Sequence, residues 1–241
     1  MLLRRVQAEL LDGLAATDPV AARSRRDLQF LHRFMGTRTQ LVRSLRQVEP
    51  KPGMTLRVLE LGAGDGSLLL GVARDLAPVW PPVELTLMDR LPLVDGATVT
   101  EYARYGWTAR SSVMDVLDWA RAATESPADA TSRWHVVIAN LFLHHFEGHE
   151  LTLVLRAIAA NADALVACEP RRGWGALAGS HLVGGVGANA VTRTDAVLSV
   201  HAGFRGRELT ALWPGTAGWR LEEGASGAFS HCFRATRRQT Q

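Results

Sequence analysis

The chain has 241 residues, 47% of them hydrophobic and 21% charged, with a mean hydropathy of +0.01. A chain of this length buries roughly 70–75% of its unfolded surface, so it needs no covalent or metal staple, and the balance excludes disordered and collagenous classes. The net charge of +3 comes from 26 arginines and Lys51 against 24 acids, interspersed along the chain. A nucleic-acid footprint is a clustered basic patch, so no nucleic-acid partner is expected.

Arg4 and Arg5 open the chain, but Glu9 and Asp12 fall where a signal peptide needs an uninterrupted apolar stretch. A cytoplasmic location is expected. Cys168 and Cys232 are too few for a disulfide scaffold or a four-thiolate zinc site and are expected as buried free thiols. Leu28, Leu31, Phe34 or Met35, Val42 and Leu45 recur near every third or fourth position, with arginines between them. This predicts helices through the first fifty residues, with one apolar face and a joint at Gly36. The breakers Glu49-Pro50-Lys51-Pro52-Gly53 then divide an N-terminal helical cap, residues 1–52, from a larger domain, 53–241.

From Leu56 the pattern changes. Short apolar runs at 56–61, 83–88, 107–113, 134–139 and 164–168 alternate with helical stretches at 67–76, 116–122 and 150–160, which predicts an α/β fold with a parallel sheet. Two last strands, 219–224 and 228–236, flank the turn Gly224-Ala225-Ser226-Gly227 and should pair antiparallel at the sheet edge. The connection before them, about 171–218, is unusually long. Within it, Gly173 to Thr192 is uncharged over the length of a membrane span, but six glycines with Ser180, His181 and Asn189 make its transfer into lipid unfavourable. No membrane span is expected.

The most informative stretch is Glu60-Leu61-Gly62-Ala63-Gly64-Asp65-Gly66-Ser67, a strand running through three alternate glycines into a helix. Glycines there let the backbone approach a ligand, and the helix start offers unpaired N–H groups. Dinucleotide enzymes prefer Gly-x-Gly-x-x-Gly, whose third glycine would stand at Ser67, and a pyrophosphate would be repelled by Glu60 and Asp65. Those acids suit a cofactor that is cationic at this point, such as the sulfonium and ammonium groups of S-adenosylmethionine.

Residues 60–67 resemble the glycine-rich motif of class I S-adenosylmethionine-dependent methyltransferases. The resemblance implies a Rossmann-like seven-stranded sheet and S-adenosyl-L-methionine as cofactor. Asp89, after the second strand, matches the acid that the family uses on the ribose hydroxyls, with Arg90 beside it, and Asp115-Val116 matches the segment that edges the adenine. Ile138 to Phe146, with Asn140, His144 and His145, resembles the post-strand-four motif of small-molecule members such as the ubiquinone and menaquinone ring methyltransferases. The flanks, Arg26 to Gly36 and Thr194 to Leu209, look like bacterial methyltransferases that accompany type III polyketide synthases and phenolic or resorcinolic products. The cofactor residues implied are thus Glu60, Gly62, Ala63, Gly64, Asp65, Asp89, Arg90, Asp115, Val116 and Asn140.

His144 is the candidate catalytic residue, as a base for a phenolic oxygen. Adjacent histidines should diverge and no third ligand has suitable spacing, so no metal is expected. His32, His135 and His149 read as ordinary surface or capping residues. The 171–218 connection starts at the carboxyl end of a strand, where ligands of open parallel sheets sit, and is expected as a lid. Its arginines would hold an anionic or phenolic acceptor, and His145, Arg171, His181, Asp195 and His201 are the expected substrate contacts. No Asp/Asn-Pro-Pro-aromatic motif follows the fourth strand, which disfavours amino-methylation of nucleic acid. The expected activity is methyl transfer to a small aromatic acceptor, O-methylation favoured, by a monomer or homodimer. C-methylation of a quinone-like ring and a non-catalytic cofactor-binding partner protein are the alternatives.

Overall fold

A mainly apolar strand is stable only where both of its faces are covered, and three such strands make the centre of this fold. In the computed structural model, which describes residues 2–50, 53–129 and 131–238, β1 (Leu56–Leu61), β4 (Val136–Asn140) and β5 (Ala164–Pro170) lie side by side and almost wholly buried. Parallel β2 (Val83–Asp89) and β3 (Trp107–Val113) extend the sheet beyond β1. Beyond β5 come β7 (Ser230–Arg237) and then β6 (Trp219–Ser226), both antiparallel to their neighbours. The order is β3-β2-β1-β4-β5-β7-β6, the expected seven-stranded sheet with its C-terminal hairpin. Cys168 and Cys232 face each other across β5 and β7 as free thiols, the second only half-buried.

Alternation along β1 sends Leu59 and Leu61 to one face and Leu56 and Val58 to the other. The first face packs on α5 (Val116–Glu125) and α6 (Gly148–Asn161), the second on α2 (Thr37–Leu45), α3 (Ser67–Leu76) and the end of α4 (Gly96–Tyr102). Since β2 follows β1 on one side and β4 lies on the other, the strand order reverses at β1, and a crevice opens beyond the carboxyl ends of β1 and β4.

The first fifty residues are only partly helical. α1 (Pro19–Met35) starts at Asp18, whose carboxylate caps Val20 and Ala21 N–H, and stops at Gly36, where φ is 67°. Residues 2–9 instead form a strap without regular structure. Its polar groups are satisfied by distant partners rather than by a helix: Arg5 N–H donates to His201 C=O at 3.1 Å, and Arg4 Nε to Ala202 C=O at 2.8 Å. Lys51 and Pro52, in the expected boundary, lie outside the described residues. Leu31, Val42 and Leu45 are buried as the periodicity requires, but Phe34 is 77% exposed.

The long connection folds into α7 (Trp174–Leu182), α8 (Ala190–Ala202) and the short α9 (Glu208–Leu212). Among the described residues no helix is long and apolar enough to cross a membrane. α8 is fixed where it ends. There Phe204 N–H donates to Pro170 C=O at 2.9 Å, and a Cβ on Gly203 would stand 2.3 Å from the same oxygen. Since overpacking against backbone costs about 1–3 kcal/mol, Gly203→Ala should lower stability by that amount in urea unfolding. An unchanged midpoint would mean that the α8–β5 junction is loosely held.

Candidate active site

The site is organised by Glu169, a carboxylate with 0% exposure at the end of β5. Buried charge is tolerated only with several hydrogen bonds, and here the backbone supplies them. Glu169 accepts from the N–H groups of Phe142, Leu143 and His144 at 2.9–3.3 Å, and meets His144 Nδ1 at 2.8 Å. These donors converge because the chain turns sharply after β4. Leu141 takes φ 50°, the one positive value among the described non-glycine residues, and a 3-10 turn follows at Leu143–His145. A left-handed leucine is strained, and Glu169 helps to hold it.

The strap crosses the other side of His144. Glu9 brings Oε1 to 3.3 Å from His144 Nε2 and also takes a hydrogen bond from Ser199. Asp12 Oδ2 lies 3.3 Å from His145 Nδ1, and Asp12 pairs with Arg90. Burial alone would lower the His144 pKa, but hydrogen bonds and charge from Glu169 and Glu9 raise it to about 9. Conversely, burial pushes the Glu9 carboxyl up, yet His144 and His145 hold it below the usual range. The two imidazoles do not diverge as expected; the tight turn sets their centroids 4.3 Å apart.

The glycine-rich turn stands opposite. Gly62, Gly64 and Gly66 all have positive φ, and a Cβ on Gly62 would strike the Phe142 ring at 2.2 Å. Asp89 ties the turn to β2 by accepting from Gly64 N–H at 2.8 Å and from Leu91 N–H at 2.9 Å. Asp65 caps Ser67 and accepts from Gln29 of α1 at 2.6 Å. Burial, then the charges of Asp65 and Asp89, hold the Glu60 carboxyl well above the usual range. Glu60 Oε2 and Asn140 Oδ1 are buried acceptors without a hydrogen-bond partner.

With Glu169 behind its wall, one cavity of about 1510 Å³ is lined by His144, His145, Glu9, Asp12 and most of the glycine-rich turn, and is larger than the ~300–1,000 Å³ of ordinary ligand pockets. It contains every residue expected at the cofactor, from Glu60 and Gly62 to Asp89, Arg90, Asp115, Val116 and Asn140, together with His144 and His145. Asp115 also caps α5 by accepting from Leu117 N–H at 2.7 Å.

Arg171, His181, Asp195 and His201 do not line the cavity. Arg171 is exposed and reaches toward Gly227 C=O, while His181 projects from α7 between the lining residues Ser180 and Leu182. His201 is half-buried, with its carbonyl engaged by Arg5. Asp195 is buried under the strap, where its two oxygens accept from Leu10 and Leu11 N–H at 2.8 and 2.9 Å. Nor do the arginines of the lid face an acceptor. Arg172 is buried on Gly203 C=O, Leu2 C=O and Glu208, and the lid presents Ala176, Gly179, Val183, Ala196 and Val200 to the cavity.

His32, expected at the surface, stands in the cavity wall, where burial lowers its pKa to about 4 against the charge of Asp65. His135 accepts from Arg57 N–H at 2.8 Å, and His149 is exposed. Glu9, Gln29, Leu141 and Glu169 escaped the sequence reading as site residues. Only Glu169 carried a usable signal, an acid inside an otherwise apolar strand.

Neither the family models nor the curated proteins contain a match to this chain. Solved structures do resemble it. The plantazolicin methyltransferase BpumL, in complex with SAH, superposes with a TM-score of 0.60 at 12% identity, over 92% of each chain. The CurJ carbon methyltransferase gives 0.51 at 14% identity, over 92% of this chain and 56% of that one. The CMeT domain of the citrinin polyketide synthase gives 0.50 at 18% identity, over 79% and 48%. The fold is thus the Rossmann-like fold of methyltransferases.

The anchoring of the strap is open to test. Hydrogen bonds to a charged group contribute about 1.5–3 kcal/mol each, so Asp195→Ala, which removes two, should speed tryptic cleavage after Arg4 or Arg5 at least tenfold. Unchanged cleavage would show that Asp195 does not hold the strap.

Proposed function

We propose that this chain transfers a methyl group from S-adenosyl-L-methionine to a small aromatic acceptor, with the oxygen of a phenolic or polyketide-derived ring as the favoured site. The observation that carries this reading is the pair of buried, unpartnered acceptors at the ends of two adjacent strands, Glu60 Oε2 in β1 before the acidic glycine-rich turn and Asn140 Oδ1 closing β4, at the point where strand order reverses. A dinucleotide would bring phosphate charge to these acids. A sulfonium with an adjacent ammonium brings positive charge and donors instead, so the residues present fit it. Asp89 and Asp115 keep carboxylate lone pairs for hydroxyl and amine donors, while Gly62 to Gly64 supply close backbone approach.

Bound there, the cofactor supplies an electrophilic methyl carbon on sulfur. The protein's part is to align an acceptor with that carbon and exclude water, and such positioning supplies most of the barrier reduction in reactions of this type. The apolar lid residues and Phe142, Phe146 and Phe229 give an aromatic acceptor its binding surface. The polar end of the cavity lies at His144. A phenol releases its proton near pH ~10, so its oxygen needs assistance at neutral pH. With Nδ1 held by Glu169, His144 Nε2 is the atom turned toward the acceptor, and Glu9 stands in that direction in the closed strap. With its pKa raised to about 9 beside Glu9 and Glu169, the ring donates from Nε2 to an acceptor oxygen at neutral pH, and it takes the acceptor's proton once Glu9 has moved away.

Calorimetric titration tests the reading. S-adenosylmethionine should bind, and Asp89→Ala should weaken it at least tenfold, since two charge-assisted bonds to hydroxyls are lost. Wild-type chain should then form S-adenosylhomocysteine only when a phenol from an acceptor panel is added. Absent binding, or undiminished binding by Asp89→Ala, would remove this assignment.

A further inference from the structure

The sequence offers no third metal ligand near His144 and His145, yet the fold supplies one from 135 residues away. Glu9 on the strap and the two histidines after β4 place one donor atom each within 4.8 Å of one another. The closest pair, Glu9 Oε1 and His144 Nε2, is 3.3 Å apart. Around Zn²⁺, with bonds of about 2.0–2.2 Å, neighbouring tetrahedral ligands stand about 3.3–3.6 Å apart. We propose that Glu9, His144 and His145 bind a divalent cation of the zinc class at the polar end of the cavity.

Three further observations support a site rather than a chance cluster. The outer groups are those that metal ligands require. Glu169 holds Nδ1 of His144 at 2.8 Å, which fixes the ring and leaves Nε2 for the metal, and Ser199 donates to Glu9. Asp12, 3.3 Å from His145 Nδ1, is the outer partner of that ring. Acidic groups also predominate there: Glu9, Asp12 and Glu169 surround the two imidazoles, and among the described residues Arg90 pairs with Asp12 while Arg4 is turned to the His144 and Phe146 carbonyls. Finally, all three donors line the cavity, so a cation there keeps a face open to it. Two histidines and one glutamate with an open position are a ligand set of catalytic rather than structural zinc.

Binding of the cation does not depend on the methyl-transfer reading, but its use does. Under that reading the open position takes the acceptor's hydroxyl oxygen, whose proton is released to water as the oxygen binds. The oxygen then forms a bond to the methyl carbon while the carbon–sulfur bond breaks, with its electron pair passing to sulfur. The cation and a proton compete for the same atom, His144 Nε2, so with the cation bound His144 is a ligand and no longer takes the proton itself.

The test uses the full, tag-free chain, stripped with a chelator and titrated with Zn²⁺ by calorimetry and with Co²⁺ by visible absorbance. S-adenosylmethionine binding is measured on the same samples. One cation per chain is expected, with visible Co²⁺ bands, and Glu9→Gln and His145→Ala should each weaken Zn²⁺ binding at least tenfold while cofactor binding persists. No Zn²⁺ binding by wild type, or equal binding by wild type and both variants, would overturn the site. Zn²⁺ binding of the expected pattern without any cofactor binding would leave this site standing and remove the methyl-transfer reading instead.

Discussion

One buried carboxylate holds the reactive end of this protein together. Glu169 ends the central strand β5 with no exposure, and an ion in that position is tolerable only because three backbone N–H groups and an imidazole point at it. Those four donors all come from residues 142–144. The carboxylate therefore dictates the turn after β4, including the strained Leu141, and the turn dictates where His144 and His145 stand. Replacing Glu169 by an apolar residue would leave three N–H groups buried without acceptors, so the constraint runs in both directions.

The strap depends on the same arrangement. Arg4 donates to the carbonyls of His144 and Phe146, and Glu9 meets Nε2 of the ring that Glu169 has fixed. Asp195 of α8 completes the anchorage by accepting from Leu10 and Leu11. The first residues of the chain thus close the polar end of the cavity, while α7 and α8 give it apolar walls. The cavity therefore joins an apolar lining to a polar end with two histidines.

The sequence made local features legible. A strand, a glycine-rich turn and a helix occur in direct succession at 56–76, and the structure has β1 and α3 at the bounds that periodicity gives. Asp89 was readable as an acid ending the next strand, while Asp115 and Asn140 were reached through the resemblance to the methyltransferase motifs; all three line the cavity at one edge of the sheet. What escaped was tertiary. Nothing in the spacing of Arg172 or Asp195 says that the first is consumed by backbone carbonyls and Glu208, or the second by the strap. The segment of Glu9 carries arginines and acids that read as a solvated helix face. It is extended because its polar groups find partners on α8 and the 143–146 turn.

The role of Glu169 is tested most directly by amide hydrogen exchange, residue by residue, in wild type and in Glu169→Gln. The amides of Phe142, Leu143 and His144 should be strongly protected in wild type. In the variant they should exchange at least tenfold faster, while those of β1 and β4 keep their protection. Equal protection of the three amides in both proteins would contradict the account, since the turn that carries His144 would then be held by something other than the buried carboxylate.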